Sequence, residues 1–434
     1  MTPIDAPAEV RVLDDGLVVI VVEDHRTDRV ALHLRFGVGS RDERAGELGC
    51  AHLFEHLMFE GSAHVPENKF DDWLTAGGGD NNAWTSEDGT AYHMVFPAGA
   101  LDLALFLESD RMAWLDAGLT EAAIANQKDV VLQERDEGYG EPNGRDFDAL
   151  DRISWPDTHP YAHPVIGTVA DVRGFSREGV VAFWRAHYRP RNAVLVLVGD
   201  LQPDAAFAQV AHWFSDVPDV GPAGARSVSP STPVAGPPRL GRIEDDVTER
   251  TVYLSYPTVP VGHPDAPALE VLSWVLVNGR GTRLDERLYY DDLATSDEAW
   301  SDARAIAGRF VISASSARTR LGRLVSVVDR ELSRLPAEPP SPAELDRAKD
   351  AIRSMVRDGV EAPDGRAEAV AECWVTYGRP DCLDTASAAT DAVTAADLVR
   401  VAQTWLRPEA RSALSVVPRG DRGALRGSVD VDLP

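Results

Sequence analysis

The sequence predicts an α+β fold made twice over, two homologous α+β domains in one chain of 434 residues. Three observations carry this. The chain is longer than one ordinary core organises. Strand-like and helix-like stretches are interspersed without regular βαβ alternation. The sequence also resembles itself when slid by 221 residues. At that offset RVALHLRFGV from Arg29 lies over RTVYLSYPTV from Arg250, both alternating as half-buried strands do. TEAAIANQKDVV from Thr120 lies over SPAELDRAKDAI from Ser341, each opening with an N-cap hydroxyl and an acidic first turn. Lys128-Asp129 falls on Lys349-Asp350. The Pro/Gly/Ser-rich stretch at the midpoint, 219–242, reads as a linker between domains 1–218 and 243–434.

In chain order, residues 9–22 and 29–38 read as strands, 46–60 and 66–76 as helices. After the glycines at 77–79, NNAWTSEDGTAYHMVFP alternates like paired strands. Helices are expected over 99–116 and 120–137, and NAVLVLVGD at 192–200 is a buried strand.

Composition bounds the function classes. With 44% apolar and 26% charged residues the chain is of globular type, and no apolar run approaches the ~20 residues of a membrane span. The N-terminus lacks a basic start, and its short apolar stretch reads as a first strand rather than a signal peptide. Three cysteines, Cys50, Cys373 and Cys382, form no CxxC, and the odd count argues against a disulfide framework. The expected location is cytoplasmic. A formal charge of -27 repels nucleic acid and anionic membrane, so neither is an expected partner; most of the charge reads as a solvated face that keeps the chain soluble, and it would attract cationic partners if there are any.

The stretch AHLFEHLMFEG, residues 51–61, places three polar side chains in an apolar helix. His52 and His56 are one turn apart on one face with Glu55 beside them. Leu53, Phe54, Leu57 and Met58 make the rest apolar, so the helix is expected to be buried. Burying these groups without partners costs on the order of kilocalories each, which excludes a solvated face. Two readings remain: hydrogen-bonded core histidines, or an i, i+4 clamp holding one zinc ion at about 2.0–2.1 Å. In the second, Glu55 accepts a proton from the water the ion activates.

A catalytic zinc site wants a third protein ligand and an open position. In the helix 120–137, Ile124, Gln127, Val131 and Glu134 form one stripe, placing Glu134 on the inward face with Gln127 two turns earlier. Asp136 and Glu137, near the helix end, are weaker competitors. The other reading of Glu134 is an ion pair with a buried arginine.

HxxEH followed by a distant glutamate resembles the inverted-zincin peptidases of the pitrilysin/insulinase family, M16, in its shorter bacterial branch akin to mitochondrial processing peptidase. The resemblance spans nearly the whole chain through GCAHLFEHLMFEG, GGGDNNAWTSEDGTAYHMVFP, NQKDVVLQERDEGYG, HPYAHPVIGTVADV, FWRAHYRPRNAVLVLVGD and RLDERLYYDDLATS. It implies His52, His56 and Glu134 as ligands of one zinc per chain, and Glu55 as the base for attack on a peptide carbonyl. It implies an edge strand carrying Asn82, Ala83 and Trp84 that pairs with extended peptide substrate through main-chain hydrogen bonds. Trp84 reads as core as readily as pocket. It also implies half of a clam-like chamber closed by two chains. Adding 221 to His52, Glu55, His56 and Glu134 lands on Ser273, Leu276, Val277 and Met355, so the second half carries no such site.

Three departures from the family pattern stand out. The 77 residues between His56 and Glu134 exceed the usual interval by one. A glutamate often found seven residues before the third ligand is Gln127, which orients but supplies no charge. An arginine and a tyrosine that help hold the substrate carbonyl in many relatives are replaced by Leu288 and Thr295, with Arg283, Arg287, Tyr289 and Tyr290 nearby but out of register. The expected function is a zinc-dependent endopeptidase acting on peptides or unfolded segments. The expected assembly is a dimer, with a sister subunit supplying the Arg/Tyr pair if it is a heterodimer. The alternative is a non-catalytic subunit of the same fold.

Overall fold

The computed structural model describes residues 4–218 and 237–433. Most of the expected linker, 219–236, lies outside the described residues. The first half forms β1 (Glu9–Val12), β2 (Val18–Glu23), β3 (Arg29–Phe36), β4 (Asp80–Thr85), β5 (Thr90–Pro97) and β6 (Ala193–Gly199), in one sheet of order β1-β2-β6-β3-β5-β4. The second half forms β7 (Leu240–Asp245), β8 (Arg250–Thr258), β9 (Ser296–Ala303), β10 (Gly308–Ser316), β11 (Ser412–Pro418) and β12 (Val429–Asp430), in a sheet of order β12-β7-β11-β8-β10-β9. From β2 and β7 onward the two orders correspond strand for strand. Both sheets are mixed: β2 runs parallel to β6, and β7 parallel to β11, while the other inner pairs are antiparallel. The α+β class and the duplication are therefore as expected.

Lys128 and Lys349, aligned by the 221-residue offset, do the same work. Lys128 Nζ donates to the carbonyls of Arg173 and Phe175 at 2.6 and 3.0 Å. Lys349 Nζ donates to those of Asp391 and Val393 at 2.8 and 2.6 Å. Each ammonium thus ties a long helix to the turn before the third helix after it, whose N-cap hydroxyl is Ser176 or Thr394.

The site-bearing sheet is apolar on both faces. On one face Leu32, Leu34 and Phe36 of β3 and Tyr92, Met94 and Phe96 of β5 pack with α1 (Cys50–Leu57), α2 (Lys69–Ala76) and α3 (Leu101–Trp114). Within this core Arg111 chelates Glu108, and its guanidinium lies 4.4–5.0 Å from the rings of Phe59, Phe70 and Tyr92. The pair is fully buried, so each charge depends on the other and on the rings for its solvation.

Two compact units result, and neither is continuous in sequence. Unit 1 takes residues 4–135, 164–218 and 356–385 of those described; unit 2 takes 136–163, 237–355 and 386–433. The second face of unit 1's sheet (Ile20, Val22, Ala31, Val194, Val196 and Val198) is covered by Ala367, Val370 and Ala371 of the helix Pro363–Tyr377. In unit 2, the helix Asp146–Ser154 buries Ala149, Leu150 and Ile153 with Ile243, Val311, Leu414 and Val416.

Cys373 and Cys382 are joined in a disulfide, while Cys50 is a buried free thiol. The argument from an odd cysteine count is corrected here: it excludes a fully paired set, but one bridge and one core thiol also sum to three. Among the described residues no helix is long and apolar enough to cross a membrane.

Candidate metal centre

α1 is shorter than its apolar pattern suggests. Gly46 and Gly49 adopt φ of +89° and +93°, which keeps 46–49 out of the helix, and Gly61 (φ +116°) follows its end. Gly49 allows no side chain, since a Cβ there would fall 2.7 Å from the Ile166 carbonyl oxygen. Gly167 (φ +81°) meets it from the other side, its own Cβ position lying 2.3 Å from the Leu48 carbonyl oxygen. The free amides at the start of α1 are satisfied by Glu43, which accepts from Gly49 N and Ala51 N at 2.8 Å each. Burial pushes this carboxyl well up, partly offset by those two amides. From the sheet, the Tyr92 hydroxyl donates to the Phe54 carbonyl at 3.3 Å.

So fixed, α1 directs His52 and His56 toward Glu134 on α4 (Glu121–Gly140). Nε2 of His52 is 3.8 Å from Glu134 Oε1, and Nε2 of His56 is 3.3 Å from Oε2. One ligand atom from each of the three residues lies within 4.8 Å of the others. Four ligands on a tetrahedral ion with bonds of about 2.0–2.1 Å are roughly 3.3 Å apart, so the donor set fits zinc after small side-chain adjustment. The imidazole rings meet edge-on, centroids 5.0 Å apart. Nδ1 of His52 is buried with no hydrogen-bond partner among the described residues, so polar anchoring of that ring falls to Nε2.

The electrostatics suit a cation. Burial holds the His52 imidazole down, at about 4, which keeps it neutral and ligand-competent, although Glu134 pulls the other way. Hydrogen bonding to His56 holds Glu134 below its ordinary range. The expected inward face for Glu134 needs correction: its side chain is 49% exposed, against 12% for His52 and 24% for His56. The stripe anchors through Ile124 and Val131, and Glu134 reaches the open end of the site. Among the described residues its ion-pair partners are the two histidines, whereas the buried Arg111 is taken by Glu108.

Glu55 lies on α1 with the histidines. Its Oε2 accepts from Thr85 Oγ1 at 2.6 Å, and burial raises its pKa more than that bond lowers it. Gln127 does not touch the trio. Its amide donates instead to Glu60, just past α1, whose carboxyl burial also raises. Asn82 and Ala83 lie on β4, the sheet's edge strand, and Ala83 N–H is engaged by Asn82 Oδ1 at 2.8 Å. Thr85 and Glu60 carry no signal of their own in the sequence. Thr85 lay in the alternating block after the glycines, and Glu60 within the quoted motif, but no local pattern says which side chain reaches Glu55 or Gln127. In unit 2 the corresponding Ser273, Leu276 and Val277 are buried in core.

Residues 18–168 match the family profile described as insulinase (peptidase family M16), and residues 174–352 the profile of the peptidase M16 inactive domain. An uncharacterized zinc protease of Rickettsia bellii is 24% identical over 93% of this chain and 96% of its own. A probable mitochondrial-processing peptidase subunit beta of Arabidopsis thaliana is 24% identical over 92% and 76%. Among solved structures, a protease from Helicobacter pylori superposes with a TM-score of 0.88 at 24% identity, covering 95% of this chain and 100% of that one. The periplasmic protease PqqL of Escherichia coli gives 0.80 at 21% identity, covering 98% of this chain and 49% of that one.

Proposed function

Since the chain belongs to peptidase family M16, carrying its insulinase-type and inactive-type domains in sequence, we propose that it is a zinc-dependent endopeptidase of peptides and unfolded segments. The observation that carries this reading is the convergence of His52 Nε2, His56 Nε2 and the Glu134 carboxylate on one point. One zinc ion there would supply a Lewis acid that polarises a peptide carbonyl and lets water lose a proton near neutral pH.

The chain's own groups do the rest. His52 and His56 would hold such an ion through their imidazole nitrogens, and the Glu134 carboxylate would offset its charge. Glu55 takes the proton of the attacking water on Oε1, because Thr85 occupies Oε2. A carboxyl raised toward the working pH both accepts that proton and returns it to the leaving amine. Gln127 and Glu60 brace the end of α1 rather than touch the reacting atoms. The free edge of β4 at Asn82 and Ala83 takes the substrate as an added strand, giving affinity with little sequence preference. In that event Ala83 N–H exchanges Asn82 Oδ1 for a substrate carbonyl.

The carbonyl-holding Arg/Tyr pair is the missing part. Leu288 is buried and Thr295 is bonded to Glu249 and the Ser315 carbonyl. The pair therefore comes from a second, M16-type chain that closes the chamber, in keeping with the doubled length of the PqqL chain. The Cys373–Cys382 bridge favours an oxidising working compartment over the cytoplasmic one expected from composition. Peptide hydrolysis by wild type and Glu55→Gln, with zinc measured on both, tests the proposal. Zinc is retained and turnover falls roughly 100- to 10,000-fold. Equal turnover would overturn the mechanism, and no turnover by wild type with any sister chain would favour the non-catalytic subunit.

A further inference from the structure

Unit 2 carries a cleft of about 530 Å³ whose lining includes five arginines: Arg250, Arg320, Arg323, Arg422 and Arg426. No acidic side chain and no aromatic ring is among the lining residues. Arg250 is neutralised, its Nε and Nη2 donating to Asp421 Oδ2 at 3.0 and 2.8 Å. The other four are exposed, and among the described residues their guanidinium groups have no ion-pair or hydrogen-bond partner. This is contrary to composition. With 70 acidic side chains against 43 basic ones, a surface arginine has a surplus of carboxylates to choose from, yet four stand together without one.

The arrangement is built by two segments. Arg320 and Arg323 flank the start of the helix Leu321–Arg334, and the N-cap position is Arg320, which has no acceptor for the first amides. Arg422 and Arg426 sit on the turn after β11. There Gly423 N–H donates to Asp421 Oδ1 at 2.6 Å, and Leu425 N–H to Ser415 Oγ at 3.1 Å. A Cβ at Gly423 would lie 2.2 Å from Arg250 Nε, so the paired Arg250 packs against the turn that presents the unpaired ones.

We propose that this cleft binds a compact polyanion of the oligophosphate class. Guanidinium forks match phosphate oxygens two at a time, and four of them suit several linked phosphates better than one. The absence of an aromatic ring from the lining leaves a nucleobase nothing to stack on, so the phosphate chain is what is recognised. The ligand relieves the mutual repulsion of the arginines. The inference is independent of the zinc site, since every residue involved belongs to unit 2.

The test is calorimetric titration of the full chain with tripolyphosphate at fixed ionic strength, beside the double variant Arg320→Ser/Arg422→Ser. Wild type binds at micromolar concentration, and the variant binds at least about tenfold more weakly. The thermal midpoint should be unchanged, because both side chains are exposed and unpartnered; Arg426→Ser alone serves if the double variant misfolds. Equal binding by the variants, as chelation of a bound metal would give, overturns the proposal. So does the absence of binding to wild type. Hexaglutamate or orthophosphate binding as tightly as tripolyphosphate also overturns it, pointing to an acidic peptide or a simple anion site.

Discussion

Thr85 Oγ1 donates to Glu55 Oε2 across 2.6 Å, linking the last residue of the edge strand β4 to the site helix α1. One carboxylate oxygen is thereby fixed and the other is left to work. Removing the hydroxyl with Thr85→Val forfeits a charge-assisted bond of about 1.5–3 kcal/mol. The expected result is a fall in kcat of roughly ten- to a hundredfold with KM little changed, and recovery in Thr85→Ser. A rise in KM with kcat intact would place Thr85 in substrate binding instead.

Removal of the metal should abolish turnover reversibly. A chelator stops peptide hydrolysis, and about one equivalent of zinc restores it. His56→Ala and Glu134→Ala each lower the zinc content measured by elemental analysis. A Glu134→Ala chain that keeps full zinc would remove Glu134 from the ligand set.

Gln127 is expected to matter for stability more than for metal. Gln127→Leu leaves Glu60, 7% exposed, without its amide donor. The cost is about 1–3 kcal/mol of unfolding free energy, read from the denaturant midpoint, with zinc content preserved. Loss of zinc in that variant would give Gln127 a direct part in the centre.

Asp146 makes unit 2 sensitive to pH. Burial lifts its carboxyl from 3.8 to about 6, with the Tyr253 hydroxyl, 2.8 Å away, only partly offsetting this. The folded state therefore binds a proton that the unfolded chain releases near 4. This contribution to stability is complete below about 4 and lost as pH rises through about 6, a change of roughly 2–3 kcal/mol. Asp146→Asn should flatten that limb, so the difference in unfolding midpoint between variant and wild type moves in the variant's favour from pH 4.5 to 7. A constant difference would show that Asp146 is ionised throughout.

The disulfide is open to a simple count. Denatured but unreduced protein should titrate one thiol, Cys50, and three after reduction. The bridge spans a sequence separation of 9, so its loss through Cys382→Ser costs about 2–3 kcal/mol by loop entropy.

The parts of the fold set by periodicity were legible in the sequence. His52 and His56 lie one turn apart, and the matched pairs Arg29/Arg250 and Lys128/Lys349 open corresponding strands or brace corresponding helices. The rest depends on contacts distant in sequence. Nothing near Ala367 or Val370 signals that they cover β2 and β6, and nothing near Ala149 signals β7 and β11. Helical spacing singles out Glu134 but not its exposure, because its side chain reaches past the buried Ile124 and Val131 toward His52 and His56. The Cys373–Cys382 bond follows from the chain's return after the helix Pro363–Tyr377, which spacing alone does not reveal.

The helix Pro363–Tyr377 also sets an order of events during translation. β2, β3 and β6 are complete once Gly199 has been made, but the segment that shields Ile20, Val22 and the β6 valines arrives roughly 180 residues later. At about 5–20 residues per second, that oily surface waits on the ribosome for roughly 10–35 s. The nascent chain carries that face uncovered throughout the interval, until Tyr377 has emerged.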